Sequence, residues 1–184
     1  MTTAPTVVTG PILDPFTEYE LEHDRVLTVG AGEGLQGAVT DADDDLLTVS
    51  SNGSAALPLQ VFRRTGGNWL PEVSLLANDA TSSSSCVASA MHAGRVALGC
   101  LNQPGPSGPG ATYLFEKVGG NWTQSQKLTI SNARDGDRFG DVLAFHADGT
   151  LFAAATIRAI DFFGQGAVYR YSEPSPLLFA NGFE

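Results

Sequence analysis

Short apolar runs separated by glycine, asparagine and aspartate recur along the chain. Runs of four to eight such residues bounded by turn formers read as strands. They fall at residues 19–29, 35–39, 46–49, 59–63 and 69–76, then 85–90, 95–99, 111–117 and 122–130, then 142–145, 151–157 and 166–171. No window of helical length carries a 3.6-residue period, so almost no α-helix is expected.

One stretch occurs twice. Leu59-Gln60-Val61-Phe62 runs into Gly66-Gly67-Asn68-Trp69, and Tyr113-Leu114-Phe115 into Gly119-Gly120-Asn121-Trp122. Other landmarks keep nearly the same spacing: Phe62, Phe115 and Tyr169, and His92 and His146. A period near 50 residues points to stacked β units rather than a helical array. The expected fold is all-β, a partial β-propeller of about three four-stranded antiparallel blades. Residues 1–18, with Pro5, Pro11 and Pro15, read as an extended N-terminal arm, 19–171 as the blades and 172–184 as a C-terminal tail. The third unit has no Gly-Gly-Asn-Trp, which predicts a last blade without its own outer strand. A first strand at 19–29, a second copy in a homodimer, or further blades would complete the ring.

Composition agrees with a turn-rich β protein: 21 glycines, 10 prolines and only 16% charged residues. The net charge is −10, and no Lys/Arg cluster exists, which argues against nucleic acid as a partner. No apolar run approaches the ~20 residues of a membrane helix, so no membrane insertion is expected. The first nine residues lack the basic and apolar regions of a signal peptide.

Gly136-Asp137-Arg138-Phe139-Gly140-Asp141-Val142 resembles the opening of an FG-GAP repeat, the blade unit of integrin-α-like β-propellers. Residues 122–129 resemble the strand leading into such a repeat in bacterial proteins. Leu114-Phe115 and Val168-Tyr169 match the aromatic strand that follows. The resemblance spans roughly residues 20–171. It departs from the pattern in unit one, with Leu35-Gln36-Gly37 in place of Phe-Gly, and in unit two, with Ser82-Ser83-Ser84-Ser85. It implies an extracellular, cell-surface or periplasmic binding or adhesion module with a protein or glycan ligand. The alternative is a lectin-like or calcium-dependent carbohydrate-binding module.

Asp41, Asp43 and Asp45 fall in an expected turn where such repeats carry a calcium loop. Alternating carboxylates in a tight turn supply the oxygens calcium takes, yet the loop lacks the glycine and late carboxylate of the full motif. The competing reading is a solvated acidic turn. Asp135, Asp137 and Asp141 flank the Phe139-Gly140 corner, and Asp137 is expected to fix that loop through backbone amides. Trp69 and Trp122 begin outer strands, suited to packing or to stacking a sugar ring. His23, His92 and His146 lack metal-ligand spacing.

Cys86 and Cys100 stand opposite each other if Met91 pairs with Arg95 around a three-residue turn. That register allows a disulfide, which marks an oxidising compartment; two buried thiols are the other reading. No nucleophile elbow, phosphate loop, zinc helix or dinucleotide fingerprint is present, so the expectation is not an enzyme.

Overall fold

Each Gly-Gly-Asn-Trp stretch closes a hairpin. Thr65 pairs with Asn68 around Gly66 and Gly67, and Val118 pairs with Asn121 around Gly119 and Gly120. The four glycines have φ of 58°, 79°, 59° and 86°. Positive φ at both central residues gives a turn whose twist matches its flanking strands, and glycine adopts it without a Cβ clash.

The computed structural model describes residues 39–43, 45–50, 58–103, 105, 107–157 and 165–172. They all belong to one compact unit, residues 34–184. The expected arm, the strand expected at 19–29 and the tail beyond residue 172 lie outside the described residues.

Every regular element described is a strand, and the strands form three antiparallel meanders. The first holds β1 (Val39–Asp43), β2 (Leu46–Ser50), β3 (Leu59–Thr65) and β4 (Asn68–Leu75). The second holds β5 (Cys86–His92), β6 (Arg95–Cys100), β7 (Ala111–Val118) and β8 (Asn121–Leu128). The third holds β9 (Val142–Phe145), β10 (Leu151–Ile157) and β11 (Gln165–Tyr171). Each sheet follows chain order, as the hairpin turns dictate. The first strands are neighbours: β1 lies against β5, and β5 against β9.

The first two sheets repeat down to a defect. Between β3 and β4, Val61 pairs with Val73 but Phe62 with Pro71, leaving Glu72 as an extra residue. Between β7 and β8, Leu114 pairs with Gln126 but Phe115 with Gln124, leaving Ser125 extra. The two bulges occupy corresponding places, one residue pair apart from the same aromatic. A bulge bends its strand and sharpens the twist, so both outer strands curve at the same point.

The apolar side chains fill the spaces between sheets. Leu59, Val61 and Leu75 of the first sheet meet Val96, Leu98, Tyr113 and Phe115 of the second. Ala90, Ala97 and Leu114 on the second sheet's other face meet Leu151, with Leu143, Phe145 and Tyr171 alongside. Phe139, Ala153 and Ala155 extend that second layer. Each such Leu, Val or Phe withdrawn from water contributes about 1.5–3 kcal/mol, which is what holds sheet to sheet.

A close backbone approach locks the second sheet to the third. A Cβ on Gly99 would stand 1.9 Å from the Gly140 carbonyl oxygen. Gly140 itself has φ +93° and donates its N–H to Ala154 O at 2.9 Å. Only glycine at position 99 allows β6 to approach the Phe139-Gly140 corner this closely. Phe139 N–H donates to Pro109 O at 2.7 Å, and its ring meets Tyr169 edge-on at 5.5 Å.

Cys86 and Cys100 are bonded, and they are directly opposed. The register behind this differs from expectation. The β5–β6 turn has two residues, Ala93 and Gly94, so His92 pairs with Arg95 and Met91 with Val96. That alone would put Cys86 out of step. An irregularity between Cys86 and Ala88 takes up one residue and restores the pair.

Candidate functional site

At the joint between the first and second sheets, Glu72 gathers three donors. Its carboxylate accepts from Arg63 Nε in its own sheet and from Lys117 Nζ in the next, both at close range. Trp122 Nε1 donates to it at 2.7 Å. The bulge in β4 aims this side chain, because Glu72 has no partner opposite it. Only 16% of the side chain is exposed. Burial pushes the carboxyl upward, but hydrogen bonds from Lys117, Arg63 and Trp122 outweigh it and bring it to about 2. Trp122 also packs on the apolar layer between these sheets, with Lys117 Nζ 5.3 Å from its ring centre. Its role here is packing, with the ring turned into the molecule.

The joint between the second and third sheets is built differently. Tyr171 in β11 donates its hydroxyl to Gln126 Oε1 at 2.5 Å. Beside this contact is a cavity of about 330 Å³, lined by Leu128 at the end of β8, by Ile130 just beyond it, and by Phe139, Ala153, Tyr169 and Tyr171. Arg170 also lines it. Lys127 and Thr129 complete the lining, so its wall is mixed, apolar and aromatic in part and cationic in part.

The carboxylates expected to bind calcium fall elsewhere. Asp41 and Asp43 were expected in a turn but lie in β1, and their side chains lie outside the description. Asp45, in the two-residue turn after β1, is paired with Arg63 at 2.5 Å. Among the described residues, no group of three or more His, Cys, Asp or Glu stands together in a way that could hold a metal ion.

Asp137 does what the sequence suggested: it is buried, and its Oδ2 accepts from Arg134 N–H at 2.8 Å. His92 is the last residue of β5 and His146 directly follows β9, each beside the connection that leaves its strand. His92 lies 6.0 Å from the Phe145 ring, and His146 Nδ1 faces Asp148 Oδ1 at 2.9 Å. The Thr150 backbone N–H, then His146, hold the Asp148 carboxyl well below the usual carboxylate range. Arg95 links the two connections, donating to Gly149 O at 3.1 Å and lying over Phe145 at 5.4 Å. These contacts fasten loops; they do not assemble a nucleophile with a base.

Tyr113 is fully buried, and burial with Asp79 nearby pushes its hydroxyl up, so it stays neutral. Asp79 itself pairs with Lys127 at 2.5 Å.

Sequence reasoning missed both the Glu72 cluster and the cavity. The cluster joins positions 50 apart in the chain and has no local signature. The cavity likewise joins residues from 127–130, 139, 153 and 169–171, which are brought together only by the stacking of two sheets.

A scan against protein-family models finds no match to the chain, and a search of curated proteins finds none either.

Proposed function

We propose that this chain is a non-enzymatic binding module of the secreted or cell-surface kind, built from propeller blades of the FG-GAP type. The observation that carries the reading is the adjacency of β1, β5 and β9, the first strands of three successive meanders. Blades arranged around a shared axis have this relation, each sheet packing face to face on the next.

Three sheets do not close a ring. Val142, Phe152 and Val168 on the free side of the third sheet are 63%, 37% and 69% exposed, whereas Ala90, Ala97 and Leu114 on the matching side of the second are buried beneath its neighbour. In this reading a further sheet, from a second copy or a longer chain, covers that side.

The Cys86–Cys100 bond suits an oxidising compartment, since thiols are kept reduced in the cytosol. Among the described residues no helix is long and apolar enough to cross a membrane.

The test is to probe the immobilised protein with peptide and glycan arrays, in calcium and in EGTA. Saturable peptide binding that EGTA leaves unchanged is the expected result. Glycan binding that requires calcium would replace this reading with the lectin-like one. Absence of binding on every array would overturn it.

A further inference from the structure

Asn121-Trp122-Thr123 has the Asn-x-Thr spacing of an acceptor for N-linked sugar, a pattern that belongs on the surface of secreted proteins. The three residues open β8 directly after the Gly119-Gly120 turn. Side chains alternate along a strand, so Asn121 and Thr123 share one face and Trp122 takes the other. The burial of β8 follows that alternation. Asn121 and Thr123 are exposed, while Trp122 is partly buried against the apolar layer between the first two sheets. The turn beside them stands clear of the molecule. A Cβ built on Gly119 or Gly120 would meet nothing beyond its chain neighbours within 4 Å, and Val118 is 59% exposed.

The first sheet provides the contrast. Its hairpin has the same turn and the same Asn-Trp pair, Asn68 and Trp69. Leu70 stands where the second hairpin has Thr123, so the hydroxyl is missing. Two tips of one design thus differ in a single acceptor determinant. The other match to the pattern, Asn52-Gly53-Ser54, lies outside the described residues.

We infer that Asn121 is an attachment site for an N-linked glycan. The donor is a sugar joined through C1 to a lipid-borne diphosphate. The Asn121 carboxamide nitrogen forms the bond to C1, the bond from C1 to the diphosphate oxygen breaks, and the diphosphate leaves with that electron pair. The nitrogen gives up one proton to the transferring enzyme, and nothing is oxidised or reduced. Thr123 is the recognition residue, since its hydroxyl is what separates this tip from the first. The glycan leaves the joint with the first sheet in place, because Trp122 meets Glu72 from the opposite face of β8. The inference rests on the reading of this chain as a secreted protein, which the Cys86–Cys100 bond supports.

The test begins with the chain purified from the cells that naturally make it. The tryptic peptide 118–127 should carry a sugar that peptide N-glycosidase removes, leaving aspartate at position 121. The chain is also passed, behind a leader, through secreting cells that hold an oligosaccharyltransferase. Medium and cell extract are both read by mass, so a variant that folds poorly still reports. Asn121→Gln and Thr123→Ala should each abolish the sugar on this peptide, and Thr123→Ser should retain it. Leu70→Thr should add a further glycan, on Asn68. An unmodified peptide 118–127 in the natural protein, or a sugar that survives Thr123→Ala, would overturn the site. A bare Asn121 in protein recovered outside the cell removes the site and leaves the binding-module reading intact; protein confined to the cytosol removes both.

Discussion

Trp122 Nε1 donates to Glu72 Oε1 at 2.7 Å, joining the outer strand of one sheet to the outer strand of the next. A bulge leaves Glu72 without a residue opposite it in the β3–β4 ladder. A local irregularity of one strand thus becomes the fastening between two sheets.

Replacing that carboxylate should loosen the joint. Glu72→Gln keeps the shape but strips the charge facing Arg63 and Lys117. The expected loss is about 1–3 kcal/mol, the range for a charged hydrogen-bonding partner that is partly screened by water. Urea unfolding of the variant beside the parent measures it. Trp122→Phe, which keeps an aromatic side chain but removes the donor and part of the indole's packing, should lose about 1–3 kcal/mol. An unchanged urea midpoint in both variants would show that the joint adds nothing.

The same group sets an acid limit. The Glu72 carboxyl has an ordinary value of 4.5 and is at about 2 in the folded protein. Between these values the unfolded chain binds the proton and the folded chain does not. Its contribution to stability is therefore fully present above about pH 4.5 and is lost as the pH falls toward 2. Urea midpoints from pH 6 to pH 2 should decline more steeply in the parent than in Glu72→Gln. Parallel profiles would contradict the assignment.

The contact between Gly99 and Gly140 predicts an intolerant site. A methyl group at position 99 would sit 1.9 Å from a backbone oxygen, so the second and third sheets must separate to admit it. Gly99→Ala should cost about 3 kcal/mol or more, the upper range for overpacking. Gly166→Ala is the control, since its nearest atom is 4.0 Å away. Soluble yield and thermal midpoint of the two variants decide; a normal midpoint for Gly99→Ala would refute the close approach.

Removal of the Cys86–Cys100 bond should also be costly. The residues are 14 apart, and closing a loop of about 15 residues stabilises by roughly 3 kcal/mol through the unfolded state. Unfolding of the parent with and without reductant, and of the Cys86→Ala/Cys100→Ala double variant, should show this loss. Mass analysis after alkylation of the denatured, unreduced protein should find no labelled cysteine.

The hairpins were legible because their determinants are local. Two Gly-Gly turns, short apolar runs and a fixed spacing placed nearly every described strand to within a few residues. Cys86 and Cys100 were expected face to face by the wrong route: the turn is one residue shorter than expected, and an irregularity at Val87 compensates. No sequence rule reports a bulge whose effect is to cancel a turn length.

Asp41 and Asp43 were read into a turn because aspartate is a poor strand former. Pairing of β1 with β2 overrides that preference, a tertiary effect. Asp45 pairs with Arg63, 18 positions away, a contact with no local signature. Glu72 lay beyond reach for a related reason: its partners at 63, 117 and 122 converge only after two sheets have stacked.

The paired bulges at Glu72 and Ser125 carry one last consequence. The backbone makes the first two sheets near duplicates, so either could be grafted into the other's place without altering a hairpin. The side chain on the bulge differs, and so does its use. Glu72 crosses to Lys117 and Trp122 of the second sheet, whereas Ser125 turns back and donates to Leu114 O of its own sheet. One backbone defect is thus a clasp in the first sheet and closed on itself in the second, so what distinguishes the two sheets is written in the side chain each bulge carries.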